Sequence, residues 1–329
     1  LLGMLVVLLL VCLTIFTMLR LVPGDAAELL VPEDATAEDV ARLREQWGLG
    51  QPIFMQFLHF VVNAARLDFG VSYRFRDDVA HLIGQRIGAT LELAAVALLI
   101  AIVVGLVFGI WAALRKGTLV DGVLSVLSIA GVSAPHFWIG IMLVLLFSAN
   151  LNLLPSGGRL PYGIDIPHVT GLLIPDALLS GRPDLAWLAL QYVVLPATTL
   201  AFGMIGIIAR ITRSSMIDAG QEEFVFTAVA KGLSVRAVVF RHLLPNALIP
   251  IVTIIGLELG GLISGSIIVE VVFSWPGIGT LLFQAVSVRD IPLTIGIVVV
   301  YTSLFILLNV LVDLLYMAID PRLRTKGAL

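Results

Sequence analysis

The chain has 329 residues, 59% of them hydrophobic and only 13% charged, with a mean hydropathy of +1.05. Soluble domains run near 25% charged, so most of this surface faces lipid or other apolar helices. A net charge of −3 argues against a nucleic-acid partner, which needs a basic face. The single cysteine, Cys12, excludes an internal disulfide and a Cys-rich metal site.

Six apolar stretches are long enough to span a bilayer, at roughly 1–19, 87–114, 119–149, 188–209, 247–272 and 293–318. The first is read as a span and not a cleaved signal. The small residues of Gly24-Asp25-Ala26-Ala27 follow it, but Arg20 intervenes and the run exceeds an ordinary signal core. The sequence opens on Leu1, and basic residues are expected ahead of it.

Segment 23–86 opens on the turn Pro23-Gly24-Asp25. Ala37–Trp47 reads as a helix with early acids and later bases, ended by Gly48 and Gly50. Gln51–Leu67 reads as a second helix with Phe54, Phe57, Leu58 and Val61 on one face. The organisation expected is a first span at 1–22, an external helical cap at 23–86, and a core at 87–329 with a cytoplasmic loop at 213–246.

Lysine and arginine set the orientation. With the N-terminus inside, the inner segments hold Arg115, Lys116, Arg210, Arg213, Lys231, Arg236, Arg241, Arg322, Arg324 and Lys326. The short outer loops hold only Arg159, Arg182 and Arg289. Both termini and loop 213–246 are therefore expected in the cytoplasm. Asp121, at the start of the third apolar stretch, is read as an acid satisfying free helix N–H groups.

No lysine follows a glycine, so a Gly-Lys-Ser/Thr phosphate loop is absent, as are His-Glu-x-x-His and Gly-x-Ser-x-Gly. Charges inside the spans carry more information, because a mid-bilayer charge normally faces protein or a water-filled path. Glu258 lies deepest, among Gly256, Gly260, Gly261 and Gly265; Glu270 follows toward the outer end, while Glu92 and Asp313 lie near interfaces. Glu258, Glu270 and Ser264 are the candidates for a translocation path. A paired structural acid is the alternative for the glutamates, and close helix packing for Ser264.

From Ser214 to Lys231 the pattern suits a helix, with Gly232 as its C-terminal cap. Ser234 caps a second helix running to Leu243, and Pro245 marks the return toward the bilayer. Two short helices joined at a glycine, with apolar and basic residues exposed, describe either a docking knob or an amphipathic anchor on anionic lipid.

The stretch Thr227-Ala228-Val229-Ala230-Lys231-Gly232-Leu233-Ser234, followed by Arg241-His242-Leu243-Leu244-Pro245-Asn246-Ala247, resembles the EAA loop of ABC importer permeases. More narrowly, it resembles the dipeptide/oligopeptide/nickel branch. Ala228, Gly232, Leu244 and Pro245 fall on the loop's pattern, whereas Phe226 and Thr227 replace its Glu-Ala start. Leu43-Arg44-Glu45-Gln46-Trp47-Gly48-Leu49, Ile208–Met216, Val269–Gly279 and Asp320-Pro321-Arg322 agree in order along nearly the whole chain.

The resemblance implies an all-α integral membrane protein with six transmembrane helices, of type I ABC importer permease architecture. It would lie as a multi-pass protein in the cytoplasmic membrane of a bacterium or archaeon. The implied partners are a second homologous permease, two ATP-binding subunits, an extracytoplasmic substrate-binding protein and membrane lipid. ATP and magnesium would bind to the ATPase subunits, leaving this chain non-catalytic and without a cofactor. Thr227, Ala228, Ala230, Lys231, Gly232, Arg236, Arg241, Leu244 and Pro245 would carry coupling to the ATPases. Short peptides are the expected cargo, with nickel chelates, glutathione, opines or sugars as alternatives. A secondary transporter or channel, or an intramembrane enzyme using Glu258 or Ser264, are the rival classes.

Overall fold

Away from water every backbone N–H and C=O must find its partner within the segment, and apolar runs of this length do so as helices. The computed structural model describes residues 2–21, 36–38, 40–41, 51–164, 166–167 and 169–319. Among them the elements are helical, and the one extended pairing is an isolated bridge between Val71 and Asp78. The expected helix at Ala37–Trp47 lies largely outside the described residues, as do the basic tail residues Arg322, Arg324 and Lys326.

The helices are α1 (Leu2–Leu21), α2 (Ile53–Ala65), α3 (Val79–Leu114), α4 (Leu119–Ser133), α5 (His136–Leu143), α6 (Leu173–Leu179) and α7 (Pro183–Ala219). They continue with α8 (Glu223–Ala230), α9 (Val235–Val238), α10 (Leu244–Val272), α11 (Ile278–Ser287) and α12 (Ile291–Ile319). Two π-helical stretches, Val144–Asn150 and Val239–Leu243, extend α5 and join α9 to α10.

Four helical runs among the described residues are long and apolar enough to cross a membrane: Val79–Leu114, Pro183–Ala219, Val235–Leu262 and Ile291–Val312. The stretch 119–149, expected as one span, is instead two helices meeting at 114°. Pro135 is the reason. It drives Ala134 to an extended conformation (φ −84°, ψ 133°) and supplies no N–H to continue the ladder.

The chain divides into two units. In the first, residues 1–88 with 276–307, Phe60, Phe69, Val79, Ile83, Leu281, Leu293 and Ile297 form the core. The buried face of α2 is Gln56, Phe60 and Ala64, flanked by Phe57 and Val61. Phe54 and Leu58, on the same face in the sequence pattern, are exposed, as a face lying on the membrane surface would be. Fully buried Asp290 ties this unit together, accepting from Ser72 Oγ at 2.6 Å, Arg74 N–H at 3.1 Å and Leu293 N–H at 3.2 Å.

In the second unit, residues 89–275 with 308–329, α7 is the central helix, and α4, α5, α6 and α10 all pack on it. Small residues permit the close approach. A Cβ on Gly206 would stand 2.2 Å from the carbonyl oxygen of Ser128, and one on Gly109 would stand 2.4 Å from Thr212 Cβ.

Candidate functional site

The expected helix from Ser214 to Lys231 is interrupted. Helix α7 continues to Ala219, a turn at Gly220–Glu222 follows, and α8 begins only at Glu223. The early acid Glu223 suits the positive end of α8.

Helix α8 divides its side chains sharply. Val225 and Ala228, one turn apart, are buried in the same apolar cluster as Val238, Val239 and Leu243. Ala228 is only 4% exposed, so it packs inward. Phe226 is 67% exposed, and Val229 is exposed beside it. Thr227, Ala230 and Lys231 are also exposed, and Thr227 Oγ1 donates to the carbonyl of Glu223.

The glycine elbow forms as the residue pattern requires. Gly232 takes φ +75°, a region an L side chain rarely enters. Its N–H donates to the Val229 carbonyl at 2.9 Å, and the next N–H, of Leu233, donates to Ala228 at 3.3 Å. These two bonds make a Schellman closure, leaving neither carbonyl unpaired. Ser234 then accepts from Ala237 N–H at 3.3 Å and caps α9.

Pro245 does not turn the chain back. The backbone is helical from Val235 through the π turn and into α10, with Pro245 in the first turn of α10. The wider π turn accommodates a residue that has no N–H to give. Leu244 is half-buried, whereas Arg236, Arg241 and Pro245 are exposed. Ser234, Arg236, Ala237, Phe240 and Arg241 line a shallow surface groove. The exposed side chains of the elbow therefore include four large apolar ones (Phe226, Val229, Val235, Phe240) and the cations Lys231, Arg236 and Arg241. Val235, at 75% exposure, was not among the expected site residues, nor were Phe226 and Phe240. The signal for Phe226 and Val229 was their spacing of one turn on the face opposite Val225 and Ala228.

The path candidates are not gathered in one place. Glu258 is half-buried, mid-way along α10. Glu270 is three turns further on, fully buried, and accepts from Thr90 Oγ1 at 2.7 Å. Twelve residues of helix separate these carboxylates by about 18 Å along the axis. Ser264 lies in α10, but its side chain lies outside what is described.

Near Glu270 a polar cluster closes one end of the second unit. Trp275 N–H donates to the Glu270 carbonyl, and its indole N–H donates to the carbonyl of Ala89 at 2.8 Å. Arg159 stands 5.7 Å over the Trp275 ring and donates through Nε to Glu92 at 3.1 Å. The other oxygen of Glu92 accepts from Ile174 N–H at 2.7 Å. At the opposite end of α3, Asp121 accepts Gly117 N–H at 3.0 Å, the loop bond expected of a helix-terminal acid. It also receives Arg213 in a two-toothed fork.

Four helical runs of membrane length among the described residues, with a partly apolar elbow exposed between two of them, define a polytopic membrane protein. Residues 105–325 match the family described as "Binding-protein-dependent transport system inner membrane component", and residues 1–94 match the N-terminal part of such components. The chain belongs to this family, the ABC-type permeases, and is a multi-pass protein of the bacterial inner membrane.

Among its relatives is the probable D,D-dipeptide transport system permease protein DdpB of Escherichia coli (strain K12), 40% identical over 99% of this chain and 96% of that one. The di/tripeptide transport system permease protein DppB of Pseudomonas aeruginosa (strain UCBPP-PA14) is 41% identical over 95% and 94% of the two chains. The glutathione transport system permease protein GsiC of Salmonella choleraesuis (strain SC-B67) is 38% identical over 99% and 97%. The fold is similar to a chain of the MetNI methionine ABC transporter in an inward-facing conformation. The TM-score is 0.55 at 17% identity, over 73% of this chain and 96% of that one.

Proposed function

We propose that this chain is the permease subunit of an ATP-driven importer of di- and oligopeptides. It would form the path with a second, homologous permease, while two ATP-binding subunits supply hydrolysis and an external binding protein delivers cargo. The full-length likeness to permeases named for dipeptides and di/tripeptides carries the substrate class.

In this reading the chain crosses the membrane six times with both termini in the cytoplasm, α1 and the bent pair α4–α5 supplying two of the crossings. The elbow from Gln221 to Pro245 docks on an ATPase. Phe226, Val229, Val235 and Phe240 enter an apolar groove on that partner, and Lys231, Arg236 and Arg241 meet its acids. Ala228 supports this surface from beneath. Closure of the ATPase dimer on ATP moves the elbow, and the spans exchange inward-open for outward-open forms. ATP drives this only through its differential affinity for the two states. Glu258, Glu270 and Ser264 are assigned to the path, Glu270 at a packed point and Glu258 at a more open one.

The test is purification from the native membrane followed by reconstitution with the binding protein. Co-purification of ATPase subunits and a second permease, with hydrolysis stimulated by dialanine, is the expected result. Uptake that persists without ATP and follows an ion gradient would assign the chain to secondary transport instead.

A further inference from the structure

Between α3, α4 and α7 lies a cavity of about 200 Å³ whose wall includes Phe108, Ala112, Leu124 and Ile129, with Arg210 and Arg213 at its rim. The lining is layered along each helix. On α3, Ala112 lines the cavity near the helix's end at Leu114, and Arg115 follows in the turn; on α4, Leu124 lines it and Asp121 lies one turn toward the helix start. Charge thus collects at one end of the cavity, and apolar walls extend from there toward the membrane interior.

The charge at that end is unbalanced. Arg213 is committed to Asp121, with Nη2 2.8 Å from Oδ2. Gly117 N–H, from the loop that carries Arg115 and Lys116, holds the same carboxylate at 3.0 Å. The exposed side chains of Arg115, Lys116 and Arg210 have no ion pair or hydrogen bond among the described residues. Of the two cations that line the cavity, Arg213 is paired with Asp121 and Arg210 is left unmatched.

We infer that this cavity is a binding site for an anionic phospholipid, its phosphodiester at Arg210 and one acyl chain against Phe108, Leu124 and Ile129. An apolar pocket with an unmatched guanidinium at one end matches an amphiphile with a negative head, whereas a zwitterionic lipid brings a cation of its own beside Arg210. Asp121 keeps Arg213 from closing over the opening, and Arg210 is left to meet the headgroup. The inference needs only that the chain is embedded in the membrane, not the substrate or the partners proposed above.

Native mass spectrometry of the purified chain and of its assembled complex provides the test, with phosphatidylglycerol and phosphatidylcholine of identical acyl chains. Wild type is expected to retain phosphatidylglycerol about fivefold over phosphatidylcholine for each cation engaged. Arg210→Gln should lose about that factor while Arg210→Lys keeps it. Ile129→Trp, which fills the cavity from its exposed side, should reduce phosphatidylglycerol retention with all charges intact. Equal retention of the two lipids by wild type, or an unchanged ratio in Arg210→Gln, overturns the inference. Displacement by inorganic phosphate would mark a soluble-anion site, and loss of the lipid in the complex would mark a cavity filled by a partner chain; either result also overturns it.

Discussion

Arg159 and Glu92, 67 positions apart in sequence, meet in a largely buried ion pair, with the guanidinium over the Trp275 ring. Glu92 also accepts Ile174 N–H, so one carboxylate fastens a loop and the start of α6 onto α3. Arg159→Met strands this carboxylate and is expected to lower stability by about 3–5 kcal/mol. Adding Glu92→Gln removes the stranded charge but keeps an acceptor for Ile174, so the double variant should recover much of the loss. Thermal unfolding of the purified protein measures both; equal losses would show that the two side chains are not coupled.

Gly232 separates backbone strain from crowding. Nothing lies within 4 Å of where its Cβ would be, yet φ is +75°. Within this chain, any effect of substitution there comes from the left-handed backbone. Asn, which tolerates this region, should be mildest, Ala should cost about 1–2 kcal/mol, and β-branched Val should cost more. If the elbow couples hydrolysis to transport, peptide uptake per ATP should fall in the same order, with membrane insertion unchanged. Wild-type uptake in Gly232→Val would remove the elbow from the mechanism.

The α3–α7 crossing at Gly109 leaves no room for a methyl group, since its Cβ would stand 2.4 Å from Thr212 Cβ and 2.6 Å from the Ala209 carbonyl oxygen. Gly109→Ala should destabilise by about 1–3 kcal/mol. Thr212 Oγ1 is buried with no hydrogen-bond partner among the described residues. Thr212→Val, of the same shape, should therefore leave stability unchanged or raise it by about 1 kcal/mol. A marked loss in Thr212→Val, read from the melting temperature, would show that the hydroxyl has a partner in the membrane.

Asp176 makes the 169–171 turn sensitive to acid. Burial pushes its carboxyl up, but bonds from Thr170 Oγ1 and from the N–H groups of Thr170, Val169 and Gly171 outweigh this and hold it below the usual carboxylate range. A depressed folded-state value means the contribution is present above the unfolded value of about 3.9 and is lost as pH falls through the folded one. Hydrogen exchange at Thr170 and Gly171 should accelerate over that acidic interval relative to a neighbouring control helix. Asp176→Asn should remove most of the pH dependence.

The glycine elbow was legible because its determinants are local: a left-handed glycine and a serine cap three residues before the N–H it accepts. The break at Pro135 within the stretch starting at residue 119 was not legible for an equally local reason, since the proline sits in an apolar run whose hydropathy hides it. The division of α8 was harder. Ala228 and Val229 are both small and apolar, and only packing against Val238, Val239 and Leu243 decides which turns inward. The Arg159–Glu92 pair joins a loop to a helix far away in sequence, and neither residue type announces its partner. The path candidates rested on the cost of charge in lipid, which finds a carboxylate but not the distance between Glu258 and Glu270.

From Val235 to Val272 the chain is one helical shaft, interrupted by the π turn at Val239–Leu243 and by Pro250, which gives no N–H to the ladder. Val235 at its exposed end and Glu258 within the bilayer stretch lie about 35 Å apart at the ordinary rise per residue. Thrust or torque applied at Val235 therefore reaches Glu258 without crossing a loose joint. The π turn and Pro250 are the two places where the shaft can yield, and in the proposed mechanism they would set how much of a stroke is spent before the far end turns.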